Sequence, residues 1–131
     1  MSSHHHCTIR IYAADTDMMG IVYHANYLNF FERARTEMIR AYGFSLSKLA
    51  TYDCHFAIHS AKLRYLAPAR LDDLLTVVSR IAEKSSCSLV FDQIIYNQDN
   101  KELCHGLIQI VSIDGRMKPK RIPENLFEVE I

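Results

Sequence analysis

The sequence has no net charge, no long apolar run and no linker between its segments. Fifteen Lys and Arg residues balance fifteen Asp and Glu residues, which excludes a global field that draws the chain to nucleic acid or an anionic membrane. No apolar run approaches the roughly 20 residues of a membrane span, and no secretory signal opens the chain. We therefore expect a cytoplasmic protein without a membrane span, folded as one domain over residues 1–131.

Paired cysteine motifs are also lacking. The four cysteines lie far apart with no Cys-x-x-Cys spacing, which argues against a zinc module or a thioredoxin-type site and favours free buried thiols. His4, His5 and His6 fit either a short metal-binding tract or an artificial tag, and we set residues 1–6 aside as disordered or not native.

The pattern that is present predicts one helix and several strands. Cys7 to Ala13 alternates as a half-buried strand. From about Ala25 to Tyr42, apolar residues recur at helical spacing: Tyr27, Phe30, Phe31, Ala34, Met38 and Ala41. Four strands follow, with turn residues between them: His55–Tyr65, Leu74–Ala82, Ser88–Tyr96 and Glu102–Ile113. The short connections suggest an antiparallel meander of an α+β domain, in which a long helix lies across a curved sheet of about five strands.

The loop from Asp15 to Tyr27 holds the candidate catalytic residues. It leads into a helix N-terminus, whose unpaired N–H groups and dipole can polarise a carbonyl oxygen. The Asp17 carboxylate beside such donors can activate a water as general base, or attack the carbonyl of an acyl substrate to form a mixed anhydride. The residues leave these two routes open.

The acidic and amide residues of this loop also fit simpler roles. Asp15, Asp17 and Asn26 suit ordinary turn and cap positions, and on spacing alone such roles are favoured. Two other interpretations of the loop fit poorly. An EF-hand calcium loop that begins at Asp15 would place Met19 at its fifth position, which requires an oxygen ligand, and Asn26 at its twelfth, which requires a glutamate. An enzyme that forms an aspartyl phosphate needs a longer α/β chain.

Longer motifs favour a catalytic role for this loop over a purely structural one. The chain resembles the 4-hydroxybenzoyl-CoA thioesterase-like hot-dog family, specifically its YbgC-type acyl-CoA thioesterases, which are associated with the Tol-Pal cell-envelope system. The resemblance rests on four segments that run in order through most of the chain: Asp15-Thr-Asp17-x-x-Gly20-Ile-Val-Tyr23-His24-Ala-x-Tyr27, Phe31-Glu-Arg-Ala-Arg-Thr-Glu-Met38, Tyr65-x-Ala-Pro-Ala-Arg-Leu-Asp-Asp73 and Met117-Lys-Pro-Lys120.

This resemblance implies an acyl-CoA thioesterase that needs no metal or cofactor. Asp17 is then the catalytic carboxylate, a backbone N–H near His24 polarises the thioester carbonyl, and His24 itself is the second catalytic candidate. A tyrosine that the family carries four residues before the acid is replaced here by Ala13, and the adjacent Tyr12 points to the opposite strand face. Glu32 is a minor catalytic candidate, with an ion pair to Arg33 or Arg35 as its structural alternative.

The same resemblance suggests residues that hold the substrate. The expected binding residues are Gly20, Val22, Tyr23, Tyr27, Ser88 and Arg64, with Arg70, Lys118, Lys120 and Arg121 as further candidates for the CoA phosphates. The expected partners are the acyl-CoA substrate and a second copy or more of the chain, as a homodimer or homotetramer, with acyl carrier protein or phospholipid-synthesis enzymes as further partners. No nucleic acid is expected. Two alternative functions stay open: a thioesterase acting on acyl carrier protein, and a non-catalytic acyl-binding or scaffold module of the cell envelope.

Overall fold

The computed structural model describes residues 4–127, which form two helices and five strands. In chain order these are β1 (His5–Arg10), α1 (Asn26–Ala41), α2 (Leu46–Thr51), β2 (His55–Tyr65), β3 (Leu74–Lys84), β4 (Ser88–Tyr96) and β5 (Glu102–Ile113). A short 3-10 turn spans Ala13–Asp15. The sequence therefore predicts the strands after the helix within two residues, because turn-forming residues separate them clearly.

The five strands form one antiparallel sheet in the order β1-β3-β4-β5-β2. Strands β3, β4 and β5 follow one another as the predicted meander. The prediction is wrong for β2, which pairs with the far edge of β5 instead of with β3. Since β1 occupies the free edge of β3, the connection from β2 to β3 must cross the end of the sheet. This connection meets the loop that carries Asp17.

The first strand begins earlier than the sequence suggests. His5 pairs with Ser79 and His6 pairs with Val78, so these two histidines belong to the ordered sheet, in contrast to the expectation that residues 1–6 are disordered or not native. Residues 1–3 lie outside the described part of the chain. The predicted alternation is confirmed, since Ile9 and Ile11 are buried while Thr8 and Arg10 are exposed.

The long helix packs its apolar stripe against the concave face of the sheet, which is the hot-dog arrangement. Tyr27, Phe30, Phe31, Ala34 and Met38 are buried at helical spacing, as predicted. The stripe differs from the prediction at three residues. Ala41 is exposed at the end of the helix, whereas Ile39 and Arg35, the latter in a stretch of charged residues, are buried.

A close contact fixes how α1 sits on β5. A Cβ added at Gly106 would lie 2.9 Å from a ring carbon of Phe31, so only glycine leaves room for the ring at this point of the strand. The Phe31 ring therefore packs directly on the backbone of β5. Any residue other than glycine at position 106 would force the ring or the strand to move.

Candidate active site

The loop after β1 folds into a small hairpin that presents Asp17. Thr16 and Val22 pair as an isolated bridge, and the Asp17 N–H donates to the Ile21 carbonyl at 2.9 Å. The Gly20 N–H donates to the Asp17 carbonyl at 3.0 Å, with Gly20 at φ 76°, a backbone region that favours glycine. Asp17 therefore occupies the first position of a tight turn.

The carboxylate of Asp17 is half engaged by its own turn. Its Oδ1 accepts a hydrogen bond from the Met19 N–H at 2.8 Å. Within residues 4–127, its Oδ2 accepts no hydrogen bond, and the side chain is exposed beside the exposed Met18 and Met19. One oxygen thus fixes the orientation of the carboxylate, while the other is free to accept a proton or to attack an electrophile.

The hairpin is attached to the connection between β2 and β3. The Val22 N–H donates to the Ala69 carbonyl at 2.9 Å, and Ile21 forms a bridge with Arg70. The Ala69 N–H donates in turn to the hydroxyl of the buried Tyr27 at 2.9 Å. Helix α1, the Asp17 hairpin and the β2–β3 connection therefore hold one another in place.

The start of α1 carries free amide donors beside this hairpin. Ala25 occupies the N-cap position and makes no side-chain cap hydrogen bond. Within the described chain, the N–H groups of His24 and Ala25 donate to no protein atom, and both residues are exposed. Unpaired N–H groups at a helix N-terminus are suited to an oxyanion.

Tyr65 contacts the same point of the chain from β2. Its hydroxyl donates to the His24 main-chain carbonyl at 3.0 Å, and its ring meets the His24 imidazole edge-on with centroids 6.4 Å apart. Burial, with a smaller contribution from Cys104, raises the pKa of Tyr65, so the hydroxyl remains a donor at neutral pH. The sequence does not indicate this role, although Tyr65 opens one of the family-like motifs.

Two of the polar loop residues have structural roles. Asp15 Oδ2 accepts from the Tyr12 N–H at 2.9 Å, which closes the 3-10 turn. The Asn26 amide donates to the carbonyl and to Oδ1 of Asp15 at 3.3 and 3.4 Å. Asp15 therefore closes the 3-10 turn, and Asn26 joins the first residue of α1 to that turn. Tyr12 has an exposed side chain, and its backbone N–H and carbonyl both bond to Asp15.

The predicted site residues separate into two groups in the structure. Those in the loop and the first turn of α1 lie together with Arg70: Asp17, Gly20, Val22, Tyr23, His24 and Tyr27. Arg64 lies on the convex face of the sheet, because it is opposite His105, whose side chain bonds Asp92 on that face. Ser88 begins β4 at the end remote from the loop, about 26 Å along the strand from Tyr96.

The remaining candidates lie away from the hairpin. Lys120 donates its N–H to the Ser112 carbonyl near the end of β5, so Lys118, Lys120 and Arg121 lie at the Ser88 end of the sheet. Glu32 is exposed on α1 and forms no ion pair within 4 Å among the described residues. Within one chain, these basic residues and Ser88 do not share a site with Asp17.

Over residues 4–127, no three side chains of His, Cys, Asp or Glu come together in a way that could hold a metal ion. In the same range, no helix is long and apolar enough to cross a membrane. Cys54 and Cys104 are buried free thiols, as predicted, and Cys7 and Cys87 are partly exposed free thiols.

Comparison with known proteins places these features in context. Residues 19–104 match the family model described as thioesterase superfamily. The acyl-CoA thioester hydrolase YbgC of Escherichia coli is 41% identical over 119 residues, which cover 90% of this chain and 89% of that protein. The acyl-CoA thioesterase YbgC of Haemophilus influenzae is 35% identical over 120 residues, with coverage of 90% and 88%.

A solved structure agrees with the fold. The probable thioesterase from Bartonella henselae superposes with a TM-score of 0.88 at 34% sequence identity, over 92% of this chain and 100% of that one. The matched region of the family model begins at Met19, two residues after Asp17, and ends in β5.

Proposed function

Because the chain belongs to the thioesterase superfamily and is a thioester hydrolase, we propose that it hydrolyses an acyl-CoA to a free carboxylic acid and CoA. The observation that carries the proposal is that one loop holds two free groups among the described residues: the Oδ2 oxygen of Asp17 and, where the loop enters α1, the unpaired N–H groups of His24 and Ala25. The relatives named YbgC, at 41% and 35% identity, support CoA as the carrier.

The two groups divide the chemistry between them. The thioester carbonyl oxygen accepts hydrogen bonds from the His24 and Ala25 N–H groups, and the negative charge that develops on it is stabilised there. Asp17 Oδ2 takes a proton from a water, whose oxygen bonds to the carbonyl carbon. The carbon–sulfur bond then breaks, and the CoA thiolate receives a proton from the Asp17 carboxyl.

Direct attack by Asp17 is the second route through the same atoms. Its Oδ2 bonds to the carbonyl carbon, CoA leaves as the thiolate, and water hydrolyses the resulting mixed anhydride to regenerate the carboxylate. Hydrolysis in ¹⁸O-labelled water under single-turnover conditions separates the routes, because only the anhydride route can place the label in Asp17.

Substitution of the carboxylate tests the proposal. Asp17→Asn keeps an oxygen that can accept from the Met19 N–H, so the turn is preserved while the base is lost. We expect kcat to fall by about 10²–10⁴-fold on a panel of acyl-CoA chain lengths. Asp99→Asn, in the exposed turn between β4 and β5, is the matched control and should leave kcat unchanged. Full kcat in Asp17→Asn contradicts the proposal.

The imidazole of His24 is assigned a secondary role. His24→Ala retains the main-chain N–H, so we expect a smaller loss of kcat than for Asp17→Asn. A complete loss shows instead that the imidazole transfers a proton. Treatment with EDTA should leave activity intact, and inactivation by EDTA revives a metal-dependent mechanism.

The carrier and the context of the reaction follow from separate measurements. Equal or better kcat/KM with the thioester of acyl carrier protein than with acyl-CoA supports the alternative substrate. Absence of turnover on both, together with acyl binding, supports a non-catalytic module. Location in the cytoplasm and association with the Tol-Pal system stay predictions from the resemblance, to be tested by fractionation and co-purification.

A homodimer formed through β2 belongs to the same proposal. Among residues 4–127, this strand of eleven residues pairs on one side, with β5, and its other edge is open. Most of its residues are exposed, and Ile58 is 56% exposed. An open edge of this length is a template for another strand. Light scattering should give twice the mass of one chain, or four times for a tetramer, and the mass of one chain contradicts the dimer.

A further inference from the structure

A cavity runs beside α1, starting one helical turn beyond the candidate active site. Its volume is about 380 Å³, and it lies between α1 and the concave face of β2 and β5. It begins at Leu28 and Asn29, in the first turn of α1, and its walls are largely apolar, with Phe56, Phe91 and Ile108 among them. Its volume is within the range of small-molecule sites.

The largely apolar wall of this cavity contains one buried cationic side chain, that of Arg35. Arg35 is 8% exposed and lines the cavity. Its Nη1 donates to Gln93 Oε1 at 3.1 Å, and its guanidinium lies 5.9 Å from the centroid of the Phe91 ring. Within residues 4–127 it makes no other hydrogen bond and has no carboxylate within 4 Å.

The neighbouring polar groups do not supply hydrogen-bond acceptors for all the N–H donors of Arg35. Gln93 uses its amide nitrogen for the Phe31 carbonyl and for Ser79 Oγ, at 3.0 and 2.9 Å, so it offers the guanidinium a single acceptor. A guanidinium has five N–H donors, and four of those of Arg35 have no protein acceptor within residues 4–127. Burial lowers the pKa of Arg35 to about 10, with Glu32 acting in the opposite direction, so the group is a cation at neutral pH.

A buried cation with no carboxylate in direct contact is costly, and an anion that enters the cavity offsets that cost. Resting on the proposed function, we propose that the acyl group of the substrate occupies this cavity and carries a terminal carboxylate that binds Arg35. Arg35 is nine residues beyond Asn26, about 13 Å along the helix axis. The substrate class is therefore the CoA monothioester of a medium-chain dicarboxylic acid.

Glu32 also lines the cavity, one helical turn nearer to its start. Its side chain is exposed to water, which screens its repulsion of a passing carboxylate, whereas Arg35 acts in a buried position where charges interact more strongly. An acyl chain that ends in a methyl group desolvates the guanidinium donors without replacing their hydrogen bonds, so it binds less well.

The test compares acyl chains of equal length with and without the terminal carboxylate. For the wild type, we expect kcat/KM for suberoyl-CoA to exceed that for octanoyl-CoA by about tenfold or more, since a hydrogen-bonded charge pair is at stake. Arg35→Met should remove this preference and Arg35→Lys should keep part of it. Arg33→Met, at the neighbouring exposed position of α1, should leave it unchanged.

Three outcomes overturn the inference. The first is a wild-type ratio at or below one, a measurement that does not depend on whether Arg35→Met folds. The second is a preference that survives in folded Arg35→Met. The third is a change of oligomeric mass in Arg35→Met with no change in the ratio, which assigns the cavity to a contact between copies. If octanoyl-CoA hydrolysis depends on Asp17 while the preference is absent, only this inference fails and the proposed function stands.

Discussion

The hydroxyl of Tyr65, at the end of β2, donates a 3.0 Å hydrogen bond to the main-chain carbonyl of His24, just before α1. A carbonyl held from the sheet side fixes the peptide plane that it shares with the next N–H, the N–H of Ala25. The orientation of a proposed oxyanion donor thus depends on a side chain that lies 41 residues further along the chain.

Tyr65→Phe tests this positioning role. The ring and its edge contact with His24 remain, and one neutral hydrogen bond of about 0.5–1.5 kcal/mol is lost. We expect kcat to fall by about 2–10-fold, with little change in KM, since the donors act mainly in the transition state. Tyr52→Phe, at an exposed tyrosine after α2, is the control. A rise in KM at unchanged kcat assigns Tyr65 to substrate binding instead.

Tyr27→Phe should destabilise the junction between α1 and the β2–β3 connection. The Tyr27 hydroxyl accepts from the buried Ala69 N–H, and without it this donor has no partner in the described contacts. A buried unsatisfied donor costs about 1–3 kcal/mol, which urea denaturation can measure against Tyr52→Phe. A change of less than a few tenths of a kcal/mol shows that water reaches Ala69.

Gly106→Ala should destabilise the packing of α1 on β5. The added methyl group meets the Phe31 ring at 2.9 Å, and overpacking of this kind typically costs about 1–3 kcal/mol. Phe31→Leu in the same chain should recover part of the loss, because the smaller side chain leaves space for the methyl group. A double-mutant cycle measures the coupling, and simple additivity of the two losses contradicts the contact.

Cys104 should resist alkylation in the folded protein. Burial raises its pKa to about 12 from an ordinary value of 9.0, so at about pH 8 only about one thiol in ten thousand is a thiolate. Iodoacetamide should modify the partly exposed Cys87 first, as judged by peptide mass spectrometry. Because the unfolded chain releases this proton at lower pH, Cys104 stabilises the fold below pH 9, and this contribution is lost between pH 9 and about 12. Early labelling of Cys104 contradicts its burial.

Local patterns in the sequence predict most of the helices and strands. The boundaries of β4 and β5 follow from runs rich in β-branched residues between turn residues, and α1 ends before Gly43, which has φ 86°. The partner of β2 is not predictable in the same way. Its choice of β5 over β3 depends on which edge β1 already occupies, and this is a contact between distant segments.

The site is predictable to a similar degree. Motif resemblance identifies the loop of Asp17 and His24, and the structure brings Gly20, Val22, Tyr23 and Tyr27 to the same region. The burial of Arg35 is hidden, because its charge and its charged neighbours resemble a solvent-facing surface. Its hydrogen-bond partner is a glutamine 58 residues away on β4, which no local pattern reveals.

The open edge of β2 also limits the kind of assembly that the sheet can build. Pairing β2 of one copy with β2 of another is isologous, so it uses both long edges and closes at two copies, which leaves a short β1 at each outer end. Pairing β2 with β1 is heterologous and can continue without limit as a fibre. The six residues of β1 can match only about half of the eleven in β2, so a β2–β1 contact would pair fewer backbone groups than the β2–β2 contact of the proposed dimer, which closes.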